Sequence, residues 1–249
     1  MLVTYKDHLF DLHQPIDISI ALHEGKQLNC YYAPPFRTEA FIAGDFVGDM
    51  KKGGLLNYKN VFLNPHGNGT HTECYAHIAD TELTINSALT KFHFLAQLIT
   101  VQPQVSENGD LIILKKQIEE SFNSEMEAIV IRTTPNSIDK LSRDYNKTNP
   151  SYLDVEAARF LCEMGIKHLL IDLPSVDKEE DGGKLAAHHS FWNFPESPRM
   201  DATITELIYV PDNVLDGIYL LNLQIASFEL DATPSKPVIF KKYDAVSIK

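Results

Sequence analysis

Three histidines and one glutamate lie within twelve residues of this chain. They are His66, His71, Glu73 and His77, in a chain that has ten histidines altogether. Imidazole and carboxylate groups are the side chains with which hydrolytic enzymes hold a divalent metal, and this combination suits Zn as well as Mn or Fe. The segment therefore predicts a metal site, and metal-assisted hydrolysis is the chemistry that it favours.

The spacing of these residues indicates how they could share one site. His71 and Glu73 are two residues apart, so their side chains project from the same face of an extended chain. His77 lies on that face if the extension persists, or at the start of a following turn. His66 does not follow this alternation, but the Gly-Asn-Gly sequence after it allows a tight bend that brings it back. Because glycines weaken a helix and His-Glu-x-x-His is absent, we predict a loop that leads into a strand.

A second group of polar residues follows in the later part of the chain. Asp172 and Asp177 lie at the end of a predicted strand, where turn capping is one interpretation of both residues and a functional site is another. Adjacent histidines come next, His188 and His189, after a loop that contains Gly182-Gly183. Glu206 lies in a later predicted strand. One histidine and one glutamate from this region could complete the metal site.

Hydrophobic patterns predict the elements that position these residues. Alternating or continuous apolar runs predict strands, and apolar residues that recur at helical spacing predict helices. The predicted strands are residues 17–22, 128–133, 167–173, 204–210 and 217–226, and the predicted helices are 111–122 and 154–164, the second of which ends before Gly165. Residues 135–150 are polar and predict a surface connection. We expect one α/β domain over residues 1–249, with a mixed β-sheet or barrel-like core flanked by helices.

Composition excludes several classes of partner. The chain has 22 Lys+Arg against 34 Asp+Glu, a net charge of −12, and no stretch gathers enough basic residues for a phosphate-binding stripe. Nucleic acids and anionic membranes are therefore not expected partners, and acidity alone does not name a substrate. No window approaches the roughly 18 consecutive apolar residues that a membrane-spanning helix needs.

The cysteines indicate the compartment. Cys30, Cys74 and Cys162 are odd in number and far apart, so they predict no disulfide framework and favour a reducing environment. The first residues have no basic start followed by an apolar run, and we therefore expect a cytoplasmic protein. Cys74 lies inside the His-rich segment. A thiol-based role is one interpretation of it, and a small buried core residue is the simpler one.

The motifs resemble those of a known family, the cyclase-like metal-dependent hydrolases, which include bacterial kynurenine formamidase and isatin hydrolase. The hallmark of that family is His-x-Gly-Thr-His-x-Asp-x-Pro-x-His, and residues 66–77 are similar to it. Residues 11–16 resemble the family's N-terminal Asp-Leu-Ser-x-Pro-Ile segment. Residues 165–177 resemble the stretch that ends in Asp-x-x-Ser-Val-Asp, and residues 187–191 resemble a later segment with a metal-ligand histidine. The resemblance implies a swivelling β/β/α fold.

The resemblance also implies a set of metal ligands. His66, His71 and Glu73 would hold a first ion, and Glu73 would bridge to a second ion that is completed by His188 and Glu206. The spacing to the following hydrophobic pair favours His188 over its neighbour. Zn is the expected metal, with Mn or Fe as alternatives. The family is usually dimeric or larger, so a homodimer or larger homo-oligomer is expected.

Three positions differ from the hallmark. Glu73 stands in place of aspartate, Tyr75 stands in place of proline, and one additional residue separates His66 from His71. A longer carboxylate combined with a longer loop could retain both ions, or one ion could be lost. The number of ions per chain, one or two, stays open at this point.

The expected activity is hydrolysis of an amide C–N bond. The resemblance implies that His77 is the general acid and base, a role that suits histidine because its ordinary pKa lies nearest neutrality. It also implies a small-molecule substrate and an arylformamidase-like reaction, from N-formylkynurenine to kynurenine and formate. One alternative is hydrolysis of a cyclic amide or lactone, with the aromatic residues 31–36 as part of a pocket wall. Another alternative is a metal-stabilised binding protein that catalyses no reaction.

Overall fold

Strands make up most of the regular structure in residues 1–243, the part of the chain that the computed structural model describes. In chain order the strands are β1 (Leu2–Tyr5), β2 (His8–Asp17), β3 (Arg37–Ala40), β4 (Ile42–Ala43), β5 (Phe46–Val47), β6 (Lys59–Phe62), β7 (His71–Cys74), β8 (His93–Val101), β9 (Gln104–Val105), β10 (Leu111–Ile113), β11 (Ala128–Thr133), β12 (Tyr152–Leu153), β13 (His168–Ile171), β14 (Thr203–Glu206), β15 (Gly217–Ile225) and β16 (Ala232–Lys242). The α-helices are α1 (Pro65–Asn68), α2 (Ile85–Ala88), α3 (Lys115–Glu119), α4 (Val155–Glu163) and α5 (Ala186–Trp192). Short 3₁₀ helices cover Met50–Lys52, Tyr75–His77 and Ile138–Ser142.

Seven strands close into a mixed barrel. The main sheet has the order β1-β2-β16-β15-β8-β11-β13-β14-β7, and β7 also pairs with β16, which closes the ring. Strands β8, β11, β13 and β14 are parallel neighbours, whereas β15, β16 and β7 make antiparallel pairs. Closure removes the open edges that a sheet would otherwise expose. The structure confirms the predicted α/β class with a mixed, barrel-like core.

The central parallel strands are buried on both faces. In β11, Ile129 and Ile131 pack into the cluster that includes helices α4 and α5, while Ala128 and Val130 face the opposite cluster, which the closed strands surround. All six residues of β11 are buried. This is why the sequence shows a continuous apolar run here instead of an alternating pattern.

Helix α4 agrees closely with its prediction. Phe160 and Leu161 are buried on its inner face, and the helix ends at Glu163. Gly165 has φ 77° and its amide donates to the carbonyl of Cys162 at 3.0 Å, so the chain reverses in a conformation that favours glycine. The predicted strands 128–133, 167–173 and 217–226 correspond to β11, β13 and β15.

The predicted strand over residues 17–22 is wrong. The strand there is β2, which ends at Asp17, and Ile18 and Ile20 follow it as buried residues without a strand ladder. The Ile18 carbonyl accepts from the Tyr209 amide at 2.9 Å, and the Ile20 amide donates to Thr70 Oγ1 at 2.7 Å. The Ile18 amide still donates to the Pro237 carbonyl of β16 at 3.1 Å, but beyond that contact the alternation reflects burial against loops and not membership of a sheet.

Three other predictions need correction. The helix predicted for residues 111–122 is strand β10 followed by the short helix α3, because the β-branched pair at 112–113 pairs with β9 and β12. The strand predicted for 204–210 ends at Glu206, since Leu207 has φ 56°. The segment 135–150 is not wholly a surface connection, because Lys140 is buried with its Nζ 2.7 Å from the carboxylate of Asp172.

Within residues 1–243, every helix is too short or too polar to cross a membrane.

One buried histidine makes stability depend on pH. The His168 ring lies 3.8 Å, centroid to centroid, from that of Phe94, and His168 Nδ1 is 2.9 Å from Thr203 Oγ1. Burial, followed by the charge of Lys167, lowers the pKa of His168 from 6.5 to about 3. The unfolded chain therefore binds a proton near pH 6.5 that the folded chain does not, and the resulting stability is lost as pH falls below about 6.5.

We expect His168→Gln to remove this dependence. Between pH 7 and pH 5, the difference in unfolding free energy between wild type and variant should shrink by about 2 kcal/mol, because only the wild type retains the buried neutral imidazole. Urea unfolding at both pH values measures it, with the exposed His13→Gln as a control that should follow the wild type. Parallel pH profiles for wild type and His168→Gln would contradict this assignment.

Candidate metal centre

A one-turn helix brings His66 to the site. Helix α1 has Pro65 in its first turn, and the side chain of its N-cap Asn64 accepts from the Gly67 amide at 3.0 Å. A Cβ on Gly67 would lie 2.1 Å from that of Ala33, so this glycine is required for close approach and not for a bend. The predicted loop is therefore a helical turn, which accommodates the additional residue and leaves the rings of His66 and His71 5.1 Å apart.

Strand β7 presents His71 and Glu73 from one face, as their spacing predicts. All four residues of β7 are buried. His71 Nδ1 is 3.0 Å from the Gly69 carbonyl, which can only accept, so Nδ1 carries the proton and Nε2 presents a lone pair. That Nε2 lies 3.4 Å from Glu206 Oε2, since His71 is paired with Glu206 in the register of β7 and β14.

Glu73 is the centre of the cluster. Its side chain is fully buried, and its Oε1 lies 3.0 Å from His188 Nε2. Its other oxygen, Oε2, lies 3.2 Å from His66 Nδ1 and 3.9 Å from His77 Nε2. The 3₁₀ turn that follows β7 places His77 at the edge of the cluster, half-buried. One carboxylate therefore faces three imidazoles.

Helix α5 supplies His188 and turns its neighbour away. Asp177 Oδ2 accepts from His188 Nδ1 at 2.6 Å, which directs Nε2 toward Glu73. Asp177 also accepts from the amides of Ala187 and His188, so it caps the first turn of the helix. The ring of His189 lies instead 5.1 Å from that of Phe194. Only His188 of the pair is in the cluster.

Glu206 lies at the end of β14, on the wall of the cluster that faces His188. Its Oε1 accepts from the Val176 amide at 2.9 Å and lies 3.8 Å from His188 Nε2. The left-handed backbone of Leu207 ends the strand directly after it. The five residues predicted as ligands and His77 are thus within one connected cluster, although their order along the chain spans more than half of it.

The cluster contains a buried carboxylate, Glu73, whose negative charge must be balanced by nearby positive charge. Burial by itself lowers the pKa of His66 and of His188. The hydrogen bond from His66 to Asp231, the hydrogen bond from His188 to Asp177 and the charge of Glu73 outweigh burial. Both pKa values are therefore raised to about 10. Burial raises the pKa of Glu73, but the charge of His77 and the hydrogen bond from His188 hold it well below its ordinary value. Protonated imidazoles thus balance the buried carboxylate.

The same residues fit a divalent cation. The buried atoms His71 Nε2 and Glu73 Oε2 have no hydrogen-bond partner. Ligand atoms of His66, His71 and Glu73 lie within 4.8 Å of one another, as do those of Glu73, His77 and His188. Both groups contain Glu73, and a cation would take the place of the imidazole protons. Nitrogen and carboxylate donors of this kind suit Zn, Mn or Fe.

A cleft of about 600 Å³ gives access to the cluster. His66, His77, His188, Ser175, Tyr31 and Tyr32 are among the residues that line it. A separate groove of about 670 Å³ near Phe62 and Leu230 has Arg37 as its only ionisable residue, so it lacks the groups for this chemistry.

The tyrosines of this cleft have a strained backbone. Tyr31 and Tyr32 have φ values of 55° and 52°, a region that side-chain-bearing residues adopt at a cost. The Tyr32 amide donates to Asn146 Oδ1 at 2.7 Å, which holds the turn. Tyr31 is 41% exposed, and the burial of the rest of its side chain, followed by the charge of Glu206, raises its pKa. Tyr31 and Tyr32 thus form part of the expected aromatic wall, whereas Phe36 is not among the residues that line the cleft.

Two carboxylates of the site received no assigned role from the sequence. Asp177 was left open between a turn cap and a functional residue, and the structure shows that it both caps helix α5 and orients His188. The Asp-x-x-Ser-Val-Asp motif was the available signal. Asp231 lies 2.9 Å from His66 Nε2 and 3.0 Å from His77 Nδ1, and no motif marks it. Hydrogen bonds from these two histidines hold the pKa of Asp231 well below its usual range. Cys74 is a buried core residue, as the simpler interpretation had it.

Comparison with known proteins shows the family. The sequence model of the Cyclase family, described as "Putative cyclase", matches residues 11–178. The chain belongs to this cyclase family. The match includes the His-rich segment and Asp177, whereas His188, Glu206 and Asp231 of this cyclase-family chain lie beyond it.

Curated relatives extend the similarity over nearly the whole chain. A kynurenine formamidase of Bacillus mycoides (strain KBAB4) is 27% identical over 231 residues, which cover 92% of this chain and 95% of the relative. A kynurenine formamidase of Bacillus cytotoxicus (strain DSM 22905 / CIP 110041 / 391-98 / NVH 391-98) is 28% identical over 232 residues, with the same coverage. These similarities support a cyclase-like hydrolase.

Solved structures show the same fold. A potential metal-dependent hydrolase with cyclase activity superposes with a TM-score of 0.67 at 15% identity, covering 93% of this chain and 99% of the other. An isatin hydrolase bound to the product analogue thioisatinate gives a TM-score of 0.64 at 14% identity, covering 92% and 93%.

We expect the cluster to bind Zn²⁺, and His71→Gln to weaken that binding about tenfold or more, because it removes the lone pair at Nε2. Metal analysis after chelation, reloading and dialysis measures the content, and competition with a chromogenic chelator measures affinity. His189→Gln, a neighbour of the cluster outside it, is the control and should match the wild type. Equal zinc affinity in wild type and His71→Gln would contradict the ligand role.

Proposed function

We propose that this chain is a metal-dependent hydrolase that cleaves an amide C–N bond, with an arylformamidase-like reaction from N-formylkynurenine to kynurenine and formate. The observation that carries the proposal is the placement of His77. Its Nε2 faces the fully buried carboxylate of Glu73 at 3.9 Å, and its half-buried ring lines the cleft. The similarity to kynurenine formamidases over 92% of the chain supports the substrate class.

The proposed ligands are His66, His71 and Glu73 for one ion, with His188 and Glu206 completing a second ion that Glu73 shares. Zn is the proposed metal, because tetrahedral nitrogen and oxygen sites are common for it, and Mn or Fe are the alternatives. A divalent cation supplies two kinds of chemistry at such a site, since it acidifies water and polarises a substrate carbonyl.

The protein groups supply the proton transfers and the orientation. His77 Nε2 takes a proton from the attacking water and returns it to the nitrogen of the leaving amine, so that water and amide give formate and a free aromatic amine. Asp177 keeps His188 in one orientation, because its carboxylate accepts from Nδ1. The rings of Tyr31 and Tyr32 provide an apolar wall against which a planar aromatic substrate can stack.

A second candidate is hydrolysis of a cyclic amide or lactone. The similarity of fold to an isatin hydrolase and the aromatic wall of the cleft favour it. The residue roles are unchanged, because His77 again gives its proton to the leaving nitrogen or oxygen. In a cyclic substrate that atom stays attached to the product. A panel of N-formylkynurenine, isatin and a simple aromatic lactone separates the two candidates by their relative kcat/KM values.

A cytoplasmic location and an assembly of two or more copies belong to the same proposal. The three cysteines are all free. Large apolar side chains are exposed along residues 41–62, among them Leu55 at 96% and Ile42 at 64% exposure. That segment has three basic and two acidic residues, in a chain with 22 and 34, so a second copy could cover it without strong repulsion. The oligomeric state stays a prediction.

We expect His77→Ala to lower kcat for N-formylkynurenine by about 10²- to 10⁴-fold, because a positioned acid–base group contributes a factor of this size. Formation of kynurenine, followed by its absorbance, measures the rate, and zinc content is measured in parallel. His189→Ala should retain the wild-type rate. A wild-type rate no higher than that of His77→Ala would refute the mechanism. Zinc binding without turnover of any member of the panel would favour a non-catalytic binding protein.

A further inference from the structure

Asp231 joins two histidines of the site through a single oxygen atom. It directly precedes β16, and its backbone carbonyl accepts from the Cys74 amide at 3.0 Å, which fixes it beside β7. Its Oδ2 lies 2.9 Å from His66 Nε2 and 3.0 Å from His77 Nδ1. The residue lies outside the part of the chain that the family model matches.

A carboxylate can only accept, so this contact selects the tautomer of both rings. In their neutral forms, His66 carries its proton on Nε2 and His77 carries its proton on Nδ1. The lone pairs are thereby left on His66 Nδ1 and His77 Nε2, the two atoms that face Glu73 Oε2 at 3.2 Å and 3.9 Å. Without this acceptor, either ring could place a proton where the site needs a lone pair.

The two rings are also packed as a pair. Their centroids are 4.4 Å apart with an interplanar angle of 32°, so a rotation of one ring would displace the other. The nearby Glu229 shows that this role is specific to position 231. Its carboxylate accepts instead from Thr84 Oγ1 and Asn86 Nδ2, at 2.7 and 2.6 Å.

We propose that Asp231 is a positioning residue that sets the tautomers of His66 and His77 together. The same oxygen atom thereby prepares His66 as a metal ligand and His77 as the proton carrier. The assignment of those two roles rests on the proposed function, whereas the tautomers themselves do not. Asp231 would touch neither the substrate nor the reacting atoms.

The test compares Asp231→Asn with Glu229→Gln as a matched control. An amide can donate as well as accept, so Asp231→Asn no longer enforces either tautomer. We expect kcat for N-formylkynurenine in the zinc-loaded protein to fall about 10- to 100-fold with KM within about twofold, as for other groups that orient ligands. Asp231→Glu should restore part of the rate, and Glu229→Gln should match the wild type.

A second readout does not depend on activity. In the zinc-loaded protein, where the cation takes the place of the imidazole protons, histidine ring nitrogens labelled with ¹⁵N report the tautomer by NMR, and assignment uses His66→Gln and His77→Gln. The wild type should show protonated Nδ1 in His77 and protonated Nε2 in His66, and Asp231→Asn should lose both preferences. This result would support the role even if no substrate of the panel were turned over, so failure of the proposed function is distinguishable.

Two results would overturn the inference. One is an Asp231→Asn protein with unchanged tautomers and unchanged kcat. The other is a loss of rate that added zinc restores fully, which would confine Asp231 to support of the ligand His66. Unfolding midpoints of all variants are measured in parallel, and if Asp231→Asn does not fold, the tautomers and rates of Asp231→Glu give the same comparison.

Discussion

The burial of the Glu73 carboxylate is the constraint on which the rest of the structure depends. Removing a carboxylate from water costs several kcal/mol unless positive charge or hydrogen bonds compensate it. Both oxygens of Glu73 therefore face imidazole nitrogens, and no part of the side chain reaches solvent. Each of those imidazoles must in turn be held, and the barrel supplies the holding groups from strands and loops that are distant in the sequence.

Closure of the barrel explains how distant residues meet. Strand β7 pairs with β14 on one side and with β16 on the other, so residues near 70, 205 and 232 become neighbours. The register sets His71 opposite Glu206, and the start of β16 brings Asp231 next to the turn that carries His77. Each histidine then has a carboxylate or carbonyl on its outer nitrogen, which leaves the inner nitrogen for a cation or a proton.

Local periodicity explains which parts of the site could be predicted. In a strand, residues two apart project from the same face, and the structure places His71 and Glu73 together in strand β7. His66 was placed at the site, but through a glycine bend, whereas the actual one-turn helix depends on a close approach of Gly67 to Ala33. That contact joins residues far apart in the sequence, so no local pattern reveals it.

Burial without strand pairing explains the wrong strand predicted for residues 17–22. Ile18 and Ile20 alternate with polar residues as a strand does, yet the Ile18 carbonyl and the Ile20 amide bond to loop residues. Asp231 gave no signal at all, since its role depends on the register of β16 beside β7. The α/β class and the barrel-like core were predictable because they depend on many apolar runs together.

Anomalous diffraction from zinc-loaded crystals shows whether Glu73 and His71 hold a metal together. We expect at least one zinc peak at about 2.0–2.2 Å from both an oxygen of Glu73 and Nε2 of His71, and a second peak on the His188 side if two ions bind. The absence of a peak at Glu73, or a peak whose ligands exclude both Glu73 and His71, would contradict this expectation.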